Sequence, residues 1–165
     1  AAGGHPSVGS ALEQARIVVE NALLALPRRN DEQVPRVVCT APEIAEVGLS
    51  ERTARTRFGT RFQVLRAGFS DNDGARARRD TYGVAKVIVG PGGRIVGAGI
   101  VGQGAAELAA LFSLALGARL TVTQLARFAA PSPSLAELAT RLGRSAPRAD
   151  DPVTRALLAF NRLRG

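Results

Sequence analysis

The sequence predicts an α+β fold, with an antiparallel β-sheet flanked by helices, and three observations support that prediction. Two β-branched runs, Gly83–Val89 and Arg94–Val101, are joined by Gly90-Pro91-Gly92-Gly93, a composition typical of a hairpin turn. Apolar and polar residues alternate over Phe62–Phe69, which indicates a third, half-buried strand. Helical patterns follow these strands along the chain, and strands followed by a run of helices are typical of this class.

The first element is a helix from Ser10 to Leu26. Apolar residues recur there at helical spacing, and Ser10 is a candidate N-cap because Glu13 follows three residues later. Pro27 and the polar run that continues to Glu32 end this helix and form a linker. We therefore expect a domain boundary at the linker.

Strand and helix then alternate up to the hairpin. Arg36–Thr40 is rich in β-branched residues and predicts a strand. Ser50 caps a predicted helix over Glu51–Phe58, which Gly59 terminates. The polar segment Asn72–Arg79 predicts a turn or a short helix.

After the hairpin the chain is helical. The predicted helices are Ala105–Leu116, Leu120–Phe128, Ser134–Leu142 and Asp150–Arg164. The first of them is the longest apolar run, yet Glu107 interrupts it and it is too short to span a bilayer. The start of the chain shows no pattern of an export signal, so we expect a cytoplasmic protein with no membrane partner.

Composition supports a packed core and limits the choice of partners. Hydrophobic residues make up 45% of the 165 residues but aromatic ones only 4%, so the core is expected to rest on Ala, Val, Leu and Ile. The net charge of +8 comes almost wholly from arginines spread along the chain. Their densest cluster, Arg76, Arg78 and Arg79, lacks the interleaved aromatic residues that stack on bases. We expect no nucleic-acid partner.

Residue types that serve redox or metal chemistry are few. Cys39 is the only cysteine, which excludes an internal disulfide framework and a multi-cysteine metal site. Its position in a predicted strand indicates a small buried hydrophobe. The only histidine, His5, belongs to the Gly-rich N-terminus and is interpreted as a solvated residue. We expect no metal site.

The run from Cys39 to Glu51 resembles the start of the C-terminal dimerisation domain of the FAD-dependent pyridine nucleotide-disulfide oxidoreductases, the family of dihydrolipoamide dehydrogenase and mercuric reductase. Further motifs similar to those of that domain follow in the same order. They are Asn72-Asp73, Thr81-Tyr82-Gly83-Val84-Ala85-Lys86-Val87, Gly93-Arg94-Ile95-Val96-Gly97-Ala98, Ile100-Val101-Gly102, Ala106-Glu107-Leu108, Leu120-Thr121-Val122 and Pro133-Ser134-Leu135-Ala136-Glu137. Each motif is weak alone, but their shared order makes the resemblance specific.

The resemblance implies a division of the chain and a set of partners. Residues 1–34 would be the end of an FAD-binding domain plus a linker, 35–149 the dimerisation domain, and 150–165 a C-terminal helical extension. It also implies a homodimer. In the intact enzyme FAD and NAD(P)H would be bound by domains upstream, and this fragment alone is expected to bind no cofactor. The backbone N–H groups of Ser10 and Ala11 would lie near the flavin ring.

A glycine-rich stretch, Gly97–Gly102, invites comparison with a dinucleotide-binding turn. It lies in a predicted strand, however, rather than at a strand-to-helix turn. We interpret these glycines as close strand packing.

One position departs from the family pattern. In the disulfide-reducing members, a histidine followed by Pro-Thr-x-x-Glu exchanges protons with the redox thiols of the partner subunit, and the glutamate orients it. The resemblance places Ser132 at the histidine and Glu137 at the glutamate. A serine hydroxyl cannot shuttle protons near neutral pH without a neighbouring base, which indicates a branch lacking the catalytic histidine.

Glu137 has two interpretations. It could orient a polar group at the flavin edge, as the resemblance implies. It could equally cap the helix that begins near Ser134, because Ser134-Leu135-Ala136-Glu137 has capping-box spacing.

Two functions follow as expectations. The leading one is the C-terminal dimerisation domain of a flavin-dependent NAD(P)H oxidoreductase, which builds the homodimer interface and contributes the Ser132–Glu137 loop to the partner subunit's flavin site. The alternative is a stand-alone protein-interaction module of the same fold without redox activity. Whether the chain is part of an enzyme stays open at this point, and the isolated fragment is expected to be inactive.

Overall fold

The computed structural model describes residues 8–24 and 34–146, and within them a five-stranded sheet carries the helices. The strands are β1 (Arg36–Val38), β2 (Ile44–Gly48), β3 (Gln63–Gly68), β4 (Gly83–Val89) and β5 (Ile95–Gly102). The helices are α1 (Val8–Leu23), α2 (Glu51–Phe58), α3 (Asp73–Ala77), α4 (Ala105–Gly117), α5 (Val122–Ala126) and α6 (Glu137–Ser145). The predicted α+β class is confirmed. His5, the whole predicted linker and the predicted helix Asp150–Arg164 lie outside the described residues.

The β4–β5 hairpin forms the middle of the sheet, whose strand order is β1-β2-β5-β4-β3 with every neighbouring pair antiparallel. Its turn runs through Pro91–Gly93, where Gly92 and Gly93 both have φ of 73°. Only glycine adopts that left-handed conformation without steric cost. The predicted hairpin is therefore confirmed.

Strand β2 is a feature that the sequence analysis did not predict. Its residues Ala45, Glu46 and Gly48 are poor strand formers, so they give no local signal. The strand forms because it pairs with β5 along its whole length, from Ile44 opposite Val101 to Gly48 opposite Gly97. Long-range pairing outweighs local propensity here.

The prediction that Cys39 is a buried strand residue is wrong. Strand β1 lies at the edge of the sheet and ends at Val38, before Cys39 is reached. The cysteine side chain is exposed. An edge strand has a neighbour on one side only, and this short one leaves its final residues uncovered.

The main core lies between one face of the sheet and helices α4 and α6. Its members include Ala45, Val47, Ala85, Val87, Ile100, Phe112, Leu138 and Leu142. Most are aliphatic, as the composition predicted, but Phe69 and Phe112 are also fully buried. Burying such apolar surface stabilises the fold by roughly 25 cal/mol per Å², which fixes α4 and α6 on the sheet.

Helix α2 covers one end of the other face. The Oγ of Ser50 accepts a hydrogen bond from the backbone N–H of Thr53, and Gly59 follows the last turn with φ of 63°. The predicted caps of this helix are thus confirmed. Beneath it Gly97, in β5, lies so close to the backbone of Leu49 that a Cβ would overlap it. Close packing of strand glycines is likewise confirmed.

Helices at the two ends of the described chain differ from their predicted bounds. Helix α1 begins at Val8, so Ser10 lies in its first turn rather than at the N-cap. Helix α6 begins at Glu137, because the residues from Ser134 form a tighter turn with hydrogen bonds three residues apart. Within the two described ranges, no helix has both the length and the apolarity needed to cross a bilayer.

Candidate functional site

The site predicted from the sequence lies on the α5–α6 loop, which is Arg127–Ala136. Ser132 is exposed on this loop, between the exposed residues Pro131 and Pro133, and its peptide bond to Pro133 is cis. No hydrogen bond of the Ser132 hydroxyl is found among the described residues. The loop therefore presents a neutral hydroxyl to the surroundings, and no residue of the described ranges supplies a base hydrogen-bonded to it.

Glu137, the first residue of α6, follows this loop directly, and its side chain turns back onto it. Its Oε2 accepts a hydrogen bond from the backbone N–H of Ser134 at 3.2 Å. That is one of the two bonds of a capping box. The other is missing, because the N–H of Glu137 points to the carbonyl oxygen of Ser134 at 3.4 Å instead of to its Oγ. This geometry favours the capping interpretation of Glu137.

A neighbouring segment fixes the loop from outside. Asn72 is 3% exposed; its Oδ1 accepts from the N–H of Ala75, and its Nδ2 donates to the carbonyl oxygen of Ser134, both at 2.9 Å. Gly74 lies directly against the loop, because a Cβ added there would come within 2.7 Å of the Ser134 carbonyl carbon. Helix α3 thus packs directly against the loop backbone, and no side chain fits between them at Gly74.

Helix α6 holds the other end of the loop. Thr140 is 8% exposed and its Oγ1 donates to the carbonyl oxygen of Phe128 at 2.9 Å. Gly143, one turn further along α6, packs against the backbone of Ala126 so closely that a side chain could not fit. Helices α5 and α6 are therefore held together by the packing of Gly143 on Ala126 and by the Thr140–Phe128 hydrogen bond at the loop.

A cavity of about 380 Å³ opens beside these anchors. Its charged lining residues are Asp71, Asp73, Glu137, Arg141 and Arg144. The guanidinium of Arg141 lies 4.0 Å from the carboxylate of Asp71, with both side chains more than half exposed. An exposed ion pair of this kind contributes little to stability. The cavity lining therefore carries charges of both signs that are largely solvated.

The predicted flavin-proximal residues, Ser10 and Ala11, lie on a different element. Both belong to the first turn of α1, and α1 makes no extensive contact with α5 or α6 among the described residues. The structure therefore places Ser132 on the α5–α6 loop and Glu137 directly after it, at the start of α6, but leaves Ser10 and Ala11 apart from them. No cluster of three or more potential metal ligands is found among the residues described.

Sequence reasoning missed the roles of Asn72 and Thr140. Asn72 stands in a family motif, but nothing local indicates that it bonds to a residue 62 positions later. Thr140 looks like an ordinary helix residue. The available signal was weak: a threonine in an otherwise apolar helical stripe has to satisfy its hydroxyl when it is buried.

Two helices expose large apolar side chains among the described residues. Helix α1 exposes an apolar stripe at helical spacing, formed by Val8, Leu12, Val19 and Leu23. Most apolar residues of helix α4 are in the core, and Leu114, 74% exposed, is the large apolar one that faces out. Core packing thus accounts for most of the apolar character of α4.

Comparison with known proteins adds the family. The domain family described as the pyridine nucleotide-disulphide oxidoreductase dimerisation domain matches residues 34–142. The dihydrolipoyl dehydrogenase of Bacillus subtilis is 30% identical over 138 residues, which cover 83% of this chain and 30% of that protein. The mercuric reductase of Streptomyces lividans is 35% identical over 136 residues, or 81% of this chain and 28% of that protein.

Solved structures of similar proteins share the fold. LpdA of Mycobacterium tuberculosis aligns with a TM-score of 0.76 at 28% identity, covering 86% of this chain and 31% of LpdA. The HOCl-induced flavoprotein disulfide reductase RclA of Escherichia coli gives a TM-score of 0.76 at 27% identity, covering 88% of this chain and 33% of RclA. The chain thus spans about a third or less of the length of these proteins. By the match over residues 34–142, it belongs to the dimerisation-domain family of the pyridine nucleotide-disulphide oxidoreductases.

Proposed function

We propose that this chain is the dimerisation domain of an FAD-dependent NAD(P)H oxidoreductase and that it presents the α5–α6 loop to the flavin of the partner subunit. The observation that carries the proposal is the contrast within that loop. Ser132 is exposed, while the backbone on both sides of it is fixed by the buried side chains of Asn72 and Thr140. A loop that is ordered without being buried is suited to a contact made outside its own chain.

The chemistry proposed for this loop does not include proton transfer by Ser132. A group that exchanges protons with thiols at neutral pH needs a pKa in that range or an adjacent base. The hydroxyl of Ser132 has no base beside it among the described residues, and the carboxylate of Glu137 is engaged by the Ser134 N–H. The proposed reaction of the intact enzyme therefore does not include disulfide reduction with proton transfer from this loop.

The role of Glu137 in this proposal is to shape the loop. Its carboxylate lies in the first turn of α6, where a negative charge is favoured by the helix dipole. By accepting from the N–H of Ser134 it closes the turn that leads out of the loop. It would act on the flavin site only through the conformation that it gives to the loop.

Flavin binding in the intact protein would draw on α1 and on domains beyond this chain. Ser10 and Ala11 lie in the first turn of a 16-residue helix, whose positive dipole end would favour the negative charge that the flavin ring gains on reduction. When bound, FAD would accept a hydride from NAD(P)H. We assign residues 1–34 to the end of the FAD domain with its linker, 35–149 to dimerisation and 150–165 to a C-terminal extension, in a cytoplasmic homodimer.

The alternative is a stand-alone interaction module of the same fold without redox activity. The exposed Ser132, at the position where the resemblance places the histidine of the disulfide-reducing members, is the feature that favours it. The visible absorption spectrum of the intact protein distinguishes the two functions. Oxidised flavin bands that bleach on addition of NADH or NADPH support the enzyme, whereas a protein without flavin bands supports the module.

Sedimentation equilibrium of this chain tests the dimerisation itself. The expected result is a concentration-dependent rise from the monomer mass of 17.2 kDa towards twice that value. A monomer at every concentration would contradict an interface built by these residues alone. The isolated chain is expected to show no NAD(P)H oxidation in either case.

A further inference from the structure

Polar side chains that are nearly fully buried are rare in residues 8–24 and 34–146. Among the described residues they are Asn72 and Thr140, at 3% and 8% exposure. Each donates a hydrogen bond at 2.9 Å to a backbone carbonyl oxygen of the α5–α6 loop, Asn72 to Ser134 and Thr140 to Phe128. Two residues from distant parts of the chain thus direct their buried donors to one loop.

We propose that Asn72 and Thr140 are positioning residues that hold the α5–α6 loop in a single conformation and so set the location of Ser132 relative to the partner subunit. The proposal rests on the proposed function, since that function gives the loop its contact. Neither side chain is expected to touch a substrate or cofactor. Both act through the backbone that they anchor.

The two anchors lie on either side of Ser132. Phe128 precedes it by four residues and Ser134 follows it by two. The donors come from different elements, since Asn72 caps α3 whereas Thr140 projects from α6. Because the carbonyl groups of Phe128 and Ser134 are both fixed to the core, the segment between them is held at its two ends.

Apolar burial does not provide the same restraint. Phe128 is 38% exposed, and Pro131, Ser132 and Pro133 are all exposed. Loops with few buried contacts are ordinarily the mobile parts of a protein. A buried donor left without a partner is desolvated with no compensating hydrogen bond, so each anchor also resists release of the loop.

Substitution can remove each donor with little change of shape. Asn72→Asp keeps the Oδ1 that accepts from the Ala75 N–H and loses the donor to Ser134. Thr140→Val keeps the branched side chain and loses the hydroxyl, while Thr140→Ser restores it. Ser50→Ala is the matched control, because it removes a capping hydrogen bond of α2 and leaves the loop untouched.

The test is backbone ¹⁵N relaxation of the chain at Phe128, Ala130, Ser132 and Ser134. Order parameters near about 0.85 are expected in the parent chain and below about 0.6 in Asn72→Asp and Thr140→Val, the ranges for rigid and flexible backbone. Thr140→Ser should recover the higher values, and Ser50→Ala should keep them. Unchanged loop order in both donor variants, or an equal loss in Ser50→Ala, would overturn the proposal.

A second measurement separates this proposal from the proposed function. In the intact flavoprotein, quenching of flavin fluorescence by iodide reports how well the ring is covered. Asn72→Asp and Thr140→Val should raise the quenching constant severalfold at unchanged dimer mass. A loosened loop with unchanged quenching would leave the positioning role in place and contradict presentation of the loop to the flavin.

Discussion

The side-chain amide of Asn72 donates a hydrogen bond to the carbonyl oxygen of Ser134 at 2.9 Å, across 62 residues of sequence. Because Asn72 is almost fully buried, the bond lies away from water, where breaking it leaves an unsatisfied group. It joins the start of the five-residue helix α3 to the loop that carries Ser132. The short helix therefore serves as the support for that loop.

Gly74→Ala should destabilise the protein even though alanine favours helices. The new Cβ would lie 2.7 Å from the carbonyl carbon of Ser134, and backbone must shift to admit it. Overpacking of this kind costs about 1 to 3 kcal/mol, which urea denaturation of the chain can measure.

Gly9→Ala is the control for that change. Its Cβ would lie 3.7 Å from a methyl group of Val34, an ordinary contact, and the residue is within α1. A gain of up to about 1 kcal/mol is expected from the helix propensity of alanine. Equal effects of the two variants would contradict the tight packing of Gly74 against the loop.

Ser134→Ala should be neutral or stabilising. The Oγ of Ser134 is buried and has no hydrogen-bond partner among the described residues. Removing a hydroxyl in that state relieves a desolvation cost, so the free energy of unfolding should stay constant or rise by about 1 kcal/mol. Thermal melts of the variants measure this. Ser50→Ala, which removes a hydroxyl that does cap a helix, should lower the free energy of unfolding by about 1 kcal/mol. Equal losses in the two variants would show that the Ser134 hydroxyl has a partner.

Glu43→Ala should destabilise the start of α4. The N-cap residue Gly104 has no side chain to offer, and the Oε2 of Glu43 accepts from the N–H of Ala106 at 3.2 Å instead. Loss of a cap costs about 0.5 to 2 kcal/mol. Glu43→Gln keeps an acceptor without the charge and should lose less. Unfolding by guanidinium chloride that does not distinguish the three proteins would contradict this capping role.

Features with a local cause could be predicted from the sequence. The hairpin turn needs glycine at Gly92 and Gly93, and the start of α2 needs an N-cap such as Ser50, so both were visible in short stretches. Strand β2 was missed, because its pairing with β5 rather than its composition makes it a strand. The same limit applies to Cys39, whose exposure follows from the place of β1 at the sheet edge.

The candidate site divides in the same way. Ser132 and Glu137 could be assigned to one site because they are five residues apart and follow a motif. The anchors of the α5–α6 loop could not, since Asn72 reaches it through tertiary packing and Thr140 carries no local mark. The bond from the Ser134 N–H to Glu137 favours the capping interpretation, whereas spacing alone gave no preference.

Presentation of Ser132 to the partner subunit's flavin is tested most directly by Ser132→Trp in the intact flavoprotein. The chain has no tryptophan of its own, and an indole stacked near flavin quenches its fluorescence. Thr60→Trp, at an exposed position after α2, is the control. We expect strong quenching in the Ser132→Trp dimer, loss of that quenching when the dimer dissociates, and none in the control. Flavin fluorescence of the Ser132→Trp dimer equal to that of the control would contradict the proposed placement of the loop.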